Sequence, residues 1–97
     1  MDKAIDNGVM VEYQDGQVYF VFAEKYQSQI GEECRRRKLD CLYVAVVSMK
    51  DGSVSLRSVK PGFDVSAVAK NYGGGGHAAA AGYRLDAAML LRRFIVG

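Results

Sequence analysis

Histidine is nearly absent from this chain, and that scarcity excludes the most chemistry. His77 is the only histidine among 97 residues, alongside two cysteines, one proline and no tryptophan. A hydrolytic metal centre needs several His, Asp or Glu ligands converging on one ion. The acidic residues fall mostly in turns, caps and exposed helix positions, and form no DxD, DHH or HxxE pattern. No metal ligand is therefore assigned in this chain. A Ser-His-Asp triad has no more support, because no serine stands in a nucleophile-elbow context. Cys34 and Cys41 have the spacing of neither a zinc knuckle nor a CxxC redox pair. They read as two reduced, partly buried thiols of a cytoplasmic protein. No apolar run approaches the ~20 residues of a membrane span, and the opening MDKAIDNG has no apolar core of a signal peptide. A net charge of +2 is too small to imply a nucleic-acid partner by itself.

What is present fits one small α+β domain, with residues 1–8 as a tail or linker. Val9 to Tyr13 alternates apolar and polar as a half-buried strand does. Asp15-Gly16 signals a hairpin into Val18 to Phe22, which is apolar throughout and expected to be covered on both faces. Glu24 to Lys38 reads as a helix, with Tyr26, Ile30 and Cys34 facing the core. Gly31 inside it costs ~1 kcal/mol against alanine and suggests close approach by another backbone or a ligand. Cys41 to Met49 is the strongest strand signal. Asp51-Gly52 then turns the chain into a strand from Ser53 to Val59, with Val54, Leu56 and Ser58 on one face and Ser55, Arg57 and Val59 on the other. Beyond the Pro61-Gly62 turn, Asp64 caps a helix whose apolar face is Val65, Val68, Ala69 and Tyr72, and Gly73 ends it. Gly82 to Leu85 makes a short last strand, and Asp86 caps a final helix to about Arg93. The result is a mixed five-stranded sheet flanked by helices.

The segment from Gly73 to Gly82, GGGGHAAAAG, is not explained by core building. Glycine costs backbone entropy in any regular element, so a run of four marks a sharp turn that something approaches closely. Free peptide N–H groups in such a turn form an anion-binding nest. Ala78 to Ala81 are good helix formers, and a helix opening there would add its N-terminus to the anion site. His77 stands at the junction, where its ring can donate to a phosphate oxygen. Arg57 offers a planar fork for phosphate. Arg35, Arg36, Arg37 and Lys38 complement the helix dipole or track a polyanionic strand. Tyr83 is open to base stacking, and Gln27 and Ser28 near the start of the long helix can reach a ligand.

Taken together, Tyr26 to Gly31 (YQSQIG), Ser55 to Ser58 (SLRS), Asp64 to Ala69 (DVSAVA) and the GGGGHAAAAG loop resemble the DHH-associated domain. This is the C-terminal lobe of many DHH-superfamily phosphoesterases, among them single-strand exonucleases, oligoribonucleases and 3′-phosphoadenosine 5′-phosphate phosphatases. The resemblance covers residues ~9 to 95, nearly the whole chain. It implies a substrate-binding lobe over residues 9–97 in which Gly74, Gly75, Gly76 and His77 hold a phosphate, with Arg57 and Ser58 beside them. His77 would assist a metal-bearing lobe. It also implies Mn²⁺ or Mg²⁺ in that other lobe, none in this chain, and a phosphorylated nucleotide or single-stranded nucleic acid as ligand. No DHH triplet is present, so the chain alone is expected to be inactive. Ala78 and Ala79 stand where family members often carry polar residues. The alternative is an autonomous nucleotide or nucleic-acid binding module without hydrolysis. No membrane partner is expected, and oligomer formation stays open.

Overall fold

The computed structural model describes residues 2–86. A six-stranded sheet carries three helices, in the order α1 (Asp2–Asp6), β1 (Val9–Tyr13), β2 (Gly16–Phe22), α2 (Gln27–Arg36), β3 (Tyr43–Val47), β4 (Ser53–Ser58), α3 (Val65–Lys70), β5 (Gly75–Gly76) and β6 (Ala80–Arg84). The strands lie side by side as β1-β2-β3-β4-β6-β5. Only β2 and β3 run parallel, joined by α2 as the crossover, and every other pairing is antiparallel. That makes the sheet mixed and the domain α+β. The sixth strand is the two-residue β5, which corrects the expectation of five.

Side-chain alternation divides the core into two layers. On the α2 face, Val21, Val44 and Val46 pack with Ile30, Cys34 and Ile5. On the α3 face, Val18, Tyr43, Ala45, Val54 and Leu56 pack with Val65 and Ala69. The burial pattern of β4 repeats strictly every second residue: Val54, Leu56 and Ser58 share one face, as the sequence predicts, and that face is the buried one. Residues 1–8, expected as a tail, include α1, whose Ile5 is only 2% exposed. Arg37 ties α1 to the end of α2 through Asp2 at 2.8 Å and Glu33 at 3.0 Å.

Several boundaries shift for physical reasons. The first hairpin turns at Gln14-Asp15 rather than Asp15-Gly16: Gln14 takes φ 51°, and Gly16 already pairs with Tyr13. The long helix starts at Gln27, because Glu24 accepts from Ser48 Oγ and Lys50 N–H instead. Tyr26, expected inward, precedes the helix in a left-handed conformation at φ 61° and is 61% exposed. The helix ends at Arg36, and Lys38 is left-handed at φ 53°. Asp64 caps α3 by accepting from Ser66 N–H at 2.8 Å. The expected final helix from Asp86, with Met89, Leu90 and Phe94, lies outside the described residues.

Candidate phosphate-binding site

The glycine run is built as the edge of the sheet. Gly73, at φ 83°, ends α3. Its N–H donates to Lys70 O and that of Gly74 to Ala69 O, the paired bonds of a Schellman motif. Gly75 and Gly76 then pair with Gly82 and Ala81. His77 and Ala80 exchange both backbone bonds, at 2.8 and 3.2 Å, around a tight turn at Ala78-Ala79. The four alanines are therefore a hairpin turn leading into β6, and the helix expected from Ala78 to Ala81 is corrected. Four residues cannot nucleate a stable helix in isolation. Pairing with β4 decides the outcome, and the turn is pinned because Val65 N–H donates to Ala78 O and Ser58 N–H to Ala79 O.

The pairing also corrects the free-amide nest, since the N–H groups of Gly73, Gly74 and His77 are all bonded. In an antiparallel ladder bonded pairs alternate with unbonded ones, so Gly76 directs its N–H outward from the sheet edge. Among the described residues, nothing accepts from Ala78 or Ala79 N–H at the tip. The remaining donors belong to an edge and a turn.

Register then decides which residues meet. Arg57 pairs with Ala80, and Ala80 faces His77, so these three share the α2 face in one row. The adjacent row on that face is Ser55, Gly82 and Gly75. Two glycines, an alanine and a serine make a low floor flanked by α2. A Cβ at Gly75 would meet nothing within 4 Å, so the space above it is open. Gly76 differs: at φ 145° it takes a conformation that favours glycine, and a Cβ would lie 2.6 Å from Ala81 Cα. A Cβ at Gly74 would crowd Tyr83 Cβ at 2.6 Å and the carbonyl of Gly82.

Arg57 reaches this floor from between β4 and α2, with its side chain 13% exposed. Its Nε donates to Glu32 Oε1 at 3.1 Å and its Nη1 to Leu56 O at 2.9 Å. What approaches Gly31 is not the expected backbone or ligand but the Arg57 side chain: a Cβ at Gly31 would stand 2.6 Å from Arg57 Cγ. Ser28 lies one helical turn before Glu32 and is exposed on the same side. Gln27 is engaged in packing, donating to Ala23 O and Val46 O at 3.4 Å and accepting from Ser53 Oγ at 3.3 Å.

Other candidates lie elsewhere. Ser58 faces α3, is 9% exposed, and donates to Lys60 O. Tyr83 pairs with Val54 on that same face and stacks on Tyr72 with ring centroids 4.7 Å apart. Both are on the opposite side of the sheet from Arg57. Tyr72 continues the helical stripe as predicted but is 46% exposed. Arg36 is held bidentately by Glu33, whose carboxyl is kept below the usual range by hydrogen bonds from Arg36 and Arg37. Arg35 lies 3.8 Å from Glu32 and lines a cavity together with Val59 and Lys60, beyond the end of β4. Ser55, which the alternation of β4 already places with Arg57, joins the floor's face, as does Arg84, not singled out from sequence, through pairing with Ser53. The signal for Arg84 was the alternation counted from Gly82, which requires knowing that β4 and β6 are neighbours.

Among the described residues, no group of three or more His, Cys, Asp or Glu side chains comes together in a way that could hold a metal. No helix among them is long and apolar enough to cross a membrane.

Residues 4–95 match the DHHA1 domain family. The chain belongs to that family. This DHHA1 domain is 43% identical over 65 residues to Oligoribonuclease NrnB of Bacillus subtilis (strain 168), a match covering 67% of this chain and 16% of the relative. Its fold is similar to the crystal structure of an uncharacterized protein from Helicobacter pylori G27, with a TM-score of 0.67 and 26% identity, covering 80% of this chain and 22% of that one. The DHHA1 domain thus spans about a sixth and a fifth of the lengths of these two proteins.

Proposed function

We propose that this DHHA1 domain is the substrate-binding lobe of a DHH-type phosphoesterase. In this reading it holds the phosphate of a nucleotide or short single-stranded oligonucleotide over the Gly75–Gly82 floor. The single observation that carries the reading is Arg57: two of its three guanidinium nitrogens are fixed by Glu32 and Leu56 O, beside an open glycine surface. A guanidinium already oriented loses little freedom when it binds a planar anion. His77, at the outer end of the same row, is the second donor to the phosphate. Glycine lets the ligand approach the backbone closely. The metal and the attacking water belong to another lobe, and this chain contributes positioning and charge stabilisation. The similarity to an oligoribonuclease supports a nucleic-acid substrate.

The test is an NMR titration of the ¹⁵N-labelled domain with a 5′-phosphorylated dinucleotide at low salt. Shifts are expected at Gly75 to Ala78 and at the Arg57 Nε–H. Arg57→Lys should weaken binding by ~10-fold or more, because a point charge cannot replace the fork. Binding unchanged by Arg57→Lys, or no shift at the loop, would contradict the reading.

A further inference from the structure

A cavity of about 870 Å³ opens beyond the C-terminal end of α2, between the first hairpin and the end of β4. Its cations are Arg35, Lys38 and Lys60, and its carboxylates are Asp15 and Asp40. Leu39, Leu42, Val59 and Pro61 supply apolar wall. We infer that this cavity holds a further nucleotide of the strand whose phosphate is bound at Arg57, so that the domain reads oligonucleotide length. The inference rests on the phosphate site proposed above and extends it.

Two chain segments lead from that site into the cavity. Val59 follows Arg57 by two residues, so it continues the same face of the chain beyond β4, and its N–H is bonded to Leu42 O at the cavity wall. Arg35 follows Gly31 by one helical turn and lies 3.8 Å from the Glu32 carboxylate that also fixes Arg57. Arg35, which shares Glu32 with Arg57, lines the cavity together with Lys38 and Lys60.

The lining specifies the ligand's chemistry. The other basic residues at this helix end are engaged: Arg36 pairs with Glu33, and Arg37 with Glu33 and Asp2. Lys38 and Lys60 form no ion pair among the described residues. Lys38 is held outside the helix by its left-handed backbone. Cations around an apolar wall suit a ligand with an anionic group and a flat apolar body, and the volume is in the range of small-molecule pockets. A bare phosphate would leave the wall unused. A nucleotide unit uses both.

The test compares 5′-phosphorylated oligonucleotides of one to four nucleotides with the ¹⁵N-labelled 97-residue chain and its Lys38→Glu/Lys60→Glu variant. The mononucleotide is expected to shift Gly75 to Ala78 and leave the cavity amides in place. Longer oligonucleotides should add shifts at Leu39 to Leu42 and at Val59, with affinity rising several-fold. The double variant should lose that rise and bind the mononucleotide within about twofold of the parent. Both lysines are exposed, so the variant is expected to fold, and an unchanged amide spectrum outside the cavity checks this. Equal affinity at all lengths, or an equal loss at all lengths in the variant, overturns the inference and leaves the phosphate site standing. Cavity shifts without loop shifts would make the cavity a separate site and overturn the continuity claimed here. No binding at any length overturns both readings.

Discussion

Arg57 is positioned by a residue that has no side chain. Gly31 lets the arginine stem lie against α2, and Glu32, the next residue, takes its Nε. Gly31→Ala should therefore separate two effects. Helix propensity improves by ~1 kcal/mol, offsetting part of the repacking cost. The guanidinium, however, must move away from the floor. The expected outcome is a melting temperature that changes by only a few degrees and a phosphate affinity that falls several-fold. Calorimetry and the dinucleotide titration measure the two separately; unchanged affinity would show that Arg57 position is unimportant. A second residue-scale prediction concerns acid. Ser53 N–H, followed by the Ser53 and Ser48 side chains, holds Asp51 down to about 2. A depressed carboxyl stabilises the fold above its unfolded value of ~3.9, and that contribution is lost as pH falls toward about 2. Asp51→Asn should cost stability at pH 6 and little at pH 2, as read by chemical denaturation at both values.

At the scale of elements, the hairpin of β5 and β6 carries the largest difference between sequence and structure. The alternation in Ser53 to Ser58 was legible because one face is buried and the other is not. So was the end of α3, since Gly73 needs its positive φ. The alanines were not legible. Their intrinsic preference is helical, and what overrides it is non-local: register with β4, and two carbonyls bonded to Val65 and Ser58. Ser58 is adjacent to Arg57 in sequence yet on the other side of the sheet, as the alternation of β4 predicts, so a motif of consecutive residues divides between two faces. The hairpin makes its own prediction. Gly76→Ala places a side chain in a glycine-favouring conformation and against β6, so it should destabilise the domain by ~1–3 kcal/mol. Urea unfolding measures this, and a stability equal to that of the parent would mean that β5 is not a required strand.

For the molecule as a whole, the sheet order sets one open edge apart from the core. β1 and β5 are the two edges, and the candidate site belongs to the β5 side. The fold class was legible in the sequence, which also offered Arg57, Gly75 and His77 as candidates. The sequence could not show that they share a face, because that depends on pairing between β4, β6 and β5 that no local pattern encodes. The family match over residues 4–95 covers nearly the whole chain, including every strand of the sheet. In the proposed reading, the floor and the oriented cation are both built from the sheet.

The claim that a phosphate lies over this floor is tested most directly at Gly75. A Cβ there meets no neighbour, and its φ is not positive. Gly75→Ala is therefore expected to leave urea stability within ~0.5 kcal/mol of the parent. If the ligand approaches the Gly75–Gly82 backbone, the added methyl occupies its place, and affinity for the 5′-phosphorylated dinucleotide should fall by ~10-fold or more. Parent-like stability with weakened binding is the predicted result. Parent-like stability with unchanged binding would contradict the account.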